Sequence, residues 1–439
     1  MKRKVIIVGA GVSGINAAVH LAKAGIEVQL FDAKKNIGGR FFSFADPATG
    51  NIIDNGQHIF IGAYKNFFDL LHNLNTFNFV KAQSNFEINY IDNKGSAKLA
   101  TNLSSGKLPL ALALLTFRKL DFKSKVSIIK LILKINKIHI PDEISCHDFL
   151  FQNGQTNLAI KYFWEPLILA TLNQSVEKSP ASLFVEVIKI MFKSVHNAKI
   201  YFSAVPLIKL LEPVDDFLKT YNSDIYTNTE IVKLDVSKKI ITNCIDKMDD
   251  IFSADAFVLA LPFDRLAKIF NNSGINDDFK SFFNFSPIIS FYFWSKSKID
   301  CSVINAMIGT KSHWLFNLSE ISNAVNPKYY LYSITISNAL EMNNMSHSEI
   351  SQMIIDELTY LGLISKSTDI IHSRLIFDKK ATVSIDINNF DKRLPIETAY
   401  DNLFICGDWV NTSLPATLES AALSGRLAAE KVINYFKSS

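Results

Sequence analysis

The residues of this chain whose types and spacing could do chemistry are Gly9, Gly11 and Gly14, Asp32, Gly38-Gly39-Arg40, His58, Glu165 and Asp408. The first three stand in Gly9-Ala10-Gly11-Val12-Ser13-Gly14, directly after four apolar residues. Gly9 permits a tight turn, Gly11 lets the backbone come up against a diphosphate, and Gly14 lets a helix pack closely on a strand. A helix N-terminus then faces the phosphates, with Val12 and Ser13 in the same cradle. Asp32 falls where a ribose hydroxyl needs an acceptor, and Ala33 follows it. His58 carries the one side chain that ordinarily titrates near neutral pH, although a solvated turn histidine reads the same way. Glu165 lies between Trp164 and a run of leucines; desolvated there, its carboxyl would rise toward the range of a general acid. A glutamate capping a helix or paired with a lysine is the plainer alternative.

These residues need elements to hold them. Val5 to Val8 reads as a buried strand, the residues through Leu21 as a helix, and Ile26 to Phe31 as a second strand ending at Asp32. That is a βαβ nucleotide unit in its confirming order. A helix is expected from about Lys65 to Leu74, then a hairpin over about Phe86 to Leu99 turning at Asn93-Lys94-Gly95. Residues 108 to 137 form a basic amphipathic region. Lys123, Lys130, Lys134 and Lys137 share a helical face while isoleucines and leucines take the others. Such a stretch suits either an anionic membrane surface or a solvated helix packed on the core. Pro141 and Asp142 open the next helix, and a long apolar helix is expected over about Ala181 to Met191. Two short strands fit Ser223 to Asp235, and a buried strand fits Asp255 to Pro262. Strands over Ile288 to Trp294 and Tyr329 to Ile336 precede a helix over about Ser348 to Gly362. A strand ending at Gly407-Asp408 and a helix reaching about Phe436 close the chain, with Pro415 suited to that helix's first turn.

Composition narrows the class. At 439 residues the chain predicts about two or three domains. A net charge of +4 is too mild for a nucleic-acid partner. The four scattered cysteines have no metal-like spacing, so neither zinc nor disulfides are expected and a cytoplasmic setting is. The apolar start imitates a signal peptide, but its glycines fall at nucleotide-turn positions. No apolar run reaches about 18 residues, so the expectation is peripheral attachment to the inner membrane face at most.

Several motifs resemble a known family. Gly38-Gly39-Arg40 is similar to the motif that closes the FAD fingerprint in the amine oxidase and phytoene desaturase superfamily, which places Gly39 and Arg40 beside the diphosphate. The segment DNGQHIFIGAY over residues 54–64 resembles the hydroxysqualene dehydroxylases of that superfamily and puts Gly56, Gln57 and His58 near the flavin. The run WEPLILATLN over residues 164–173 resembles the same family's substrate side. Ile231 and Val232 match the strand that meets adenine. Gly407-Asp408 and the Leu414-Pro415-Ala416-Thr417 segment look like the closing FAD motif, in which the aspartate bonds the ribityl chain and a helix start faces the flavin.

The resemblance implies an α/β, Rossmann-like FAD-binding domain of the amine oxidase/phytoene desaturase type with an inserted α+β substrate domain. The expected cofactor segments are 1–75, 200–275 and 390–439; the substrate segments are 76–199 and 276–389. It implies FAD and a lipophilic isoprenoid substrate. The reaction implied is reductive removal of the allylic hydroxyl of hydroxysqualene, giving squalene for hopanoid or related triterpenoid synthesis. His58 and Glu165 are then the acids to test, and the electron donor is left unspecified. A carotenoid-type desaturase, another flavin amine oxidase and a non-catalytic flavin protein are the alternatives. Two departures stand out: Asp32 replaces the more usual Glu, and KATVSIDINNFDKRLP over residues 380–395 differs from the shorter, Pro-containing pattern of relatives.

Overall fold

The computed structural model describes residues 3–101, 109–138, 140, 143–276, 278–322, 328–365 and 369–438. Leu108, the first residue of the basic amphipathic region, and Pro141 and Asp142, which the sequence assigns to a helix start, lie outside the described residues.

The apolar run at the N-terminus forms strand Lys4–Val8 at the centre of a five-stranded sheet. In order across the sheet the strands are Asp224–Tyr226, Glu27–Phe31, Lys4–Val8, Ala256–Leu259 and Leu403–Ile405, and every neighbouring pair is parallel. Parallel strands need long crossovers and are covered on both faces, which explains why the central ones are Val- and Ile-rich without alternation. Helix Val12–Lys23 packs against the C-terminal helix Leu418–Ser438. The two backbones touch at Gly425, where any Cβ would stand 2.1 Å from the Ser13 carbonyl oxygen, and Asn16 donates to the Ala422 carbonyl at 2.6 Å.

A seven-stranded sheet is built from the hairpin Phe86–Asp92/Gly95–Thr101 and from strands Asn284–Ser295, Ile304–Met307, Trp314–Asn317, Tyr330–Ile336 and Ile370–Ser384. Its pleat sorts side chains by parity. Ile289, Phe291 and Phe293 pack with Ile350, Ile354 and Leu358 of helix His347–Tyr360 in a core of their own. On the opposite face, Ile288 and Ser290 line a large cavity, while Tyr292 and Trp294 join the main core. Helices Pro109–Thr116, Phe122–Lys134, Cys146–Gln152, Glu165–Leu172 and Ala181–Met191 follow the hairpin, and all of them except Cys146–Gln152 contribute residues to the wall of that cavity. A π-helical turn, Ile160–Trp164, precedes the fourth of these. Pro166 stands two residues after it and has no N–H to offer the carbonyl of residue 162.

The hairpin turn and the helix Ala181–Met191 fall where the sequence puts them. Pro415 does not: the last helix starts at Leu418, so this proline ends the approach loop instead of occupying the first turn. A small sheet also crosses the expected domain division. Val80–Ala82, on the substrate side of it, pairs with Ile200–Ser203, on the cofactor side, which in turn pairs with Phe60–Ile61. One continuous core accordingly runs through both parts.

Candidate active site

The cradle at the head of the first helix is fixed by close backbone approaches. Gly9 has φ +105°, and a Cβ on it would meet the Ala260 carbonyl oxygen at 2.4 Å. A Cβ on Gly14 would stand 1.9 Å from the Gly9 carbonyl oxygen, so Gly14 serves the packing of turn on helix and is not part of the cavity wall. Asp32 accepts hydrogen bonds from the Ala10 and Lys34 backbone N–H groups, both at 2.8 Å. Its carboxylate thus ties the glycine turn to the end of the second strand. Gly38 donates to the Ala10 carbonyl at 2.7 Å, and a Cβ on Gly39 would lie 3.2 Å from the Gly11 Cα. The two glycine motifs, separate in sequence, are one surface.

That surface is the polar end of a cavity of about 1260 Å³. Single ligand sites usually span about 300–1,000 Å³. Gly9, Gly11, Val12, Ser13, Asp32, Ala33, Gly39, Arg40, Gly56, Gln57, His58, Val232, Gly407, Asp408, Ala416 and Thr417 all line it. Apolar side chains share the wall, Phe86, Ile88, Leu99, Phe163, Leu167 and Phe316 among them. Gly11 is the telling position. Its φ of −78° is open to any residue, and a Cβ placed there would meet nothing within 4 Å. The fold alone gives no reason for glycine, whereas a diphosphate laid against the turn does. The residues present therefore fit a dinucleotide.

Arg40 and Asp408, 368 positions apart, form a 2.7 Å ion pair across this end, and Arg40 also donates to the Ala381 carbonyl at 2.8 Å. Burial works against the guanidinium's charge, but the Asp408 carboxylate beside it outweighs that and holds its pKa above the usual value. Behind the wall, Arg393 donates to the Leu414 carbonyl at 2.6 Å and braces the loop before the last helix; burial brings its pKa down to about 10. Glu419, in the first turn of that helix, accepts from the backbone N–H groups of Asn66 and Phe67, both at 3.1 Å. Burial raises its pKa, and those bonds oppose the rise. It thereby caps helix Lys65–Asn73, a few residues after His58.

The two acid candidates separate. His58 is half-buried against the Phe41 ring, at a centroid distance of 5.4 Å, and burial, with the nearby Arg40 charge, lowers its pKa to about 4. Near pH 7 it is a neutral imidazole, which corrects the reading of a group titrating near neutrality. Glu165 does have its pKa raised, by burial first and then by Glu177, with Lys161 opposing. Yet it is not among the cavity-lining residues, whereas Leu167, Leu169, Ala170 and Thr171 of the same helix are. The helix turns this carboxyl away from the site, and proximity in sequence could not show that. Tyr64 is the residue that motif reading passed over. It lines the cavity and is kept protonated by burial and by the Glu419 charge. Its signal was present, since it closes the DNGQHIFIGAY segment.

A parallel sheet with a glycine cradle, a second glycine motif against it and a closing helix from the far end of the chain defines a dinucleotide-dependent oxidoreductase of the FAD-binding type. The sequence matches the flavin containing amine oxidoreductase family over residues 12–433, and the chain belongs to that family. FAD is its cofactor. It is 24% identical over 435 residues to a hydroxysqualene dehydroxylase of Zymomonas mobilis, covering 98% of this chain and 99% of that one. It is 25% identical to one of Rhodopseudomonas palustris, covering 99% of each. Similarity to the 15-cis-phytoene desaturase of Solanum lycopersicum is 22% over 99% of this chain and 78% of the plant protein. Among solved structures, an oxidoreductase from Methanosarcina mazei superposes with a TM-score of 0.76 at 16% identity, over 97% of this chain and all of that one.

Proposed function

We propose that this flavoenzyme reductively removes the allylic hydroxyl of hydroxysqualene to give squalene. The observation that carries this is the continuity of the cavity. The cofactor cradle, His58 and a wall of aromatic and aliphatic side chains line one space, suited to a long hydrocarbon beside the cofactor. The full-length similarity to proteins named hydroxysqualene dehydroxylase supports the choice of substrate. When bound and reduced, FAD supplies a hydride. The balance is then one allylic alcohol, one hydride and one proton, giving one hydrocarbon and one water.

The chain's residues hold the reacting parts in place. Gly11, Gly39 and the helix starts at Val12 and Leu418 take the diphosphate and flavin ends, and the Arg40 guanidinium offsets phosphate charge. His58, held neutral, has a ring N–H for hydrogen bonding to the departing hydroxyl, and the Tyr64 hydroxyl is a second protonated group in the same wall. The apolar wall keeps water from the allylic carbon.

The rival is oxidative desaturation of a polyene, which the similarity to phytoene desaturases keeps in view. Parallel incubations decide between them: reduced holoenzyme with hydroxysqualene, and oxidised holoenzyme with phytoene. Squalene from the first and no new double bonds in the second are expected. The reverse pattern overturns the proposal.

A further inference from the structure

The helices covering the apolar end leave large hydrophobic side chains in water. On helix Phe122–Lys134, Phe122, Val126, Ile129 and Leu133 fall at i, i+4, i+7 and i+11, one stripe of the helix. Ile129 and Leu133 line the cavity, yet Leu133 is 75% exposed and Phe122 76%. On helix Pro109–Thr116, Ala111 and Leu114 line the same space while Leu112 and Leu115 are exposed. The Lys125 ammonium, bonded to the Leu115 carbonyl at 2.7 Å, holds the two helices together. The greasy wall of the cavity therefore continues onto the outer surface, with Leu133 belonging to both. Single exposed leucines need no explanation, but four large apolar side chains exposed on two linked helices that also wall a cavity do.

The charges around it name the partner. Lys123, Lys130, Lys134 and Lys137 form the neighbouring stripe, all exposed, and none pairs with a carboxylate among the described residues. Residues 118–137 hold seven cations, Arg118, Lys119, Lys123, Lys125, Lys130, Lys134 and Lys137, against the single acid Asp121. Lys119 is taken up by Asp92 at 2.7 Å. An apolar stripe flanked by lysines whose stems can lie along it is the pattern of a helix seated in the interface of an anionic bilayer. No helix among the described residues is long and apolar enough to cross a membrane, so this would be insertion from one side.

We infer that Leu112, Leu115, Phe122 and Leu133 dip into the acyl layer of an anionic membrane, and that the cavity mouth between the two helices takes its substrate directly from the bilayer, with Leu133 at the threshold. The inference deepens the reading above and rests on it only for the identity of the cargo.

The test is flotation of FAD-loaded protein with vesicles of phosphatidylcholine plus phosphatidylglycerol, compared with phosphatidylcholine alone. The wild type is expected to float with the anionic vesicles and to be weakened by salt. Leu112→Ser/Leu115→Ser/Phe122→Ser, none of which lines the cavity, is expected to bind about a thousandfold more weakly, since each large apolar side chain withdrawn from water is worth about tenfold or more and the three factors multiply. Bound-flavin absorbance and turnover of detergent-dispersed hydroxysqualene in that variant should stay within about twofold of wild type. A Phe122→Trp variant, whose emission should shift to the blue on anionic vesicles, repeats the test without removing an apolar group. Wild type left at the bottom of the gradient, a triple variant that floats as well as wild type, or an unshifted Trp emission would each overturn the inference. Vesicle binding without consumption of hydroxysqualene sinks the substrate reading and leaves the membrane seat standing; the reverse result does the opposite.

Discussion

Two glycines of the same turn should fail in opposite ways when given a methyl group. At Gly14 the added Cβ would stand 1.9 Å from the Gly9 carbonyl oxygen, so helix and turn must part by more than an ångström. Overpacking of this kind costs about 1–3 kcal/mol, and a backbone obstacle that cannot rotate away puts Gly14→Ala at or beyond the upper end. For a chain this long, about 2.1 cal/mol/K per residue makes each kcal/mol worth about 1 °C of midpoint, so a drop of about 3 °C or more is expected even without FAD. Gly11→Ala should leave the unliganded protein within about 1 °C, because its backbone is ordinary, its Cβ meets nothing within 4 Å, and only a modest N-cap preference is lost. That methyl occupies the space assigned to the diphosphate, so FAD affinity should fall at least about a hundredfold, or about 2.7 kcal/mol. Flavin-stripped protein titrated with FAD by fluorescence quenching, beside thermal melts without FAD, reads both numbers. A Gly11→Ala protein that binds FAD as tightly as wild type would refute the placement of the diphosphate.

Other perturbations test the surrounding shell. Glu165→Gln should keep single-turnover rates within about twofold, because the carboxyl lies off the cavity wall, and a loss of a hundredfold would return it to the mechanism. Glu419→Ala strands the Asn66 and Phe67 N–H groups and should cost about 2–3 kcal/mol, measured as an earlier melt with weaker flavin retention. Acid should destabilise the fold through its histidines. His58 and His313 are both lowered to about 4, the latter by burial and then Lys311, and His313 Nδ1 accepts the Ser337 N–H at 3.0 Å. With folded values below the unfolded value of about 6.5, their contribution is full above that pH and is lost as pH falls toward 4. Asp54, raised to about 6 by burial, works the other way, so that these three groups together take up about one proton on unfolding, or about 1.4 kcal/mol per pH unit around pH 5. Denaturant melts of wild type and His313→Gln between pH 7 and 4.5 should show the variant with the shallower slope; equal slopes would reject the assignment.

What could be read in the sequence was local. The strand, turn, helix and second strand around Gly9 to Asp32 announce themselves because each residue's role is set by its near neighbours. The helix Ala181–Met191 is legible for the same reason, lying between Pro180 and a change of pattern. The seven-stranded sheet is not, since its hairpin joins the rest through a parallel pairing of Asn89 with Asn305 that no local signal encodes. Arg40 and Asp408 each stand in a motif that can be picked out locally, but their ion pair closes a loop of nearly the whole chain. Glu165 shows the sharpest limit. Its raised pKa was foreseeable from Trp164 and the leucines, whereas the direction in which the helix carries it depends on packing against elements far away in sequence.

The central claim is that reduced flavin in this cavity hands a hydride to an allylic alcohol, and a single turnover without oxygen tests it most directly. Holoenzyme reduced to completion, freed of reductant and mixed with hydroxysqualene should regain its oxidised-flavin absorbance, forming about one squalene per flavin as one hydride per alcohol requires. Flavin that stays reduced in the presence of hydroxysqualene, or reoxidises without yielding squalene, would contradict the account.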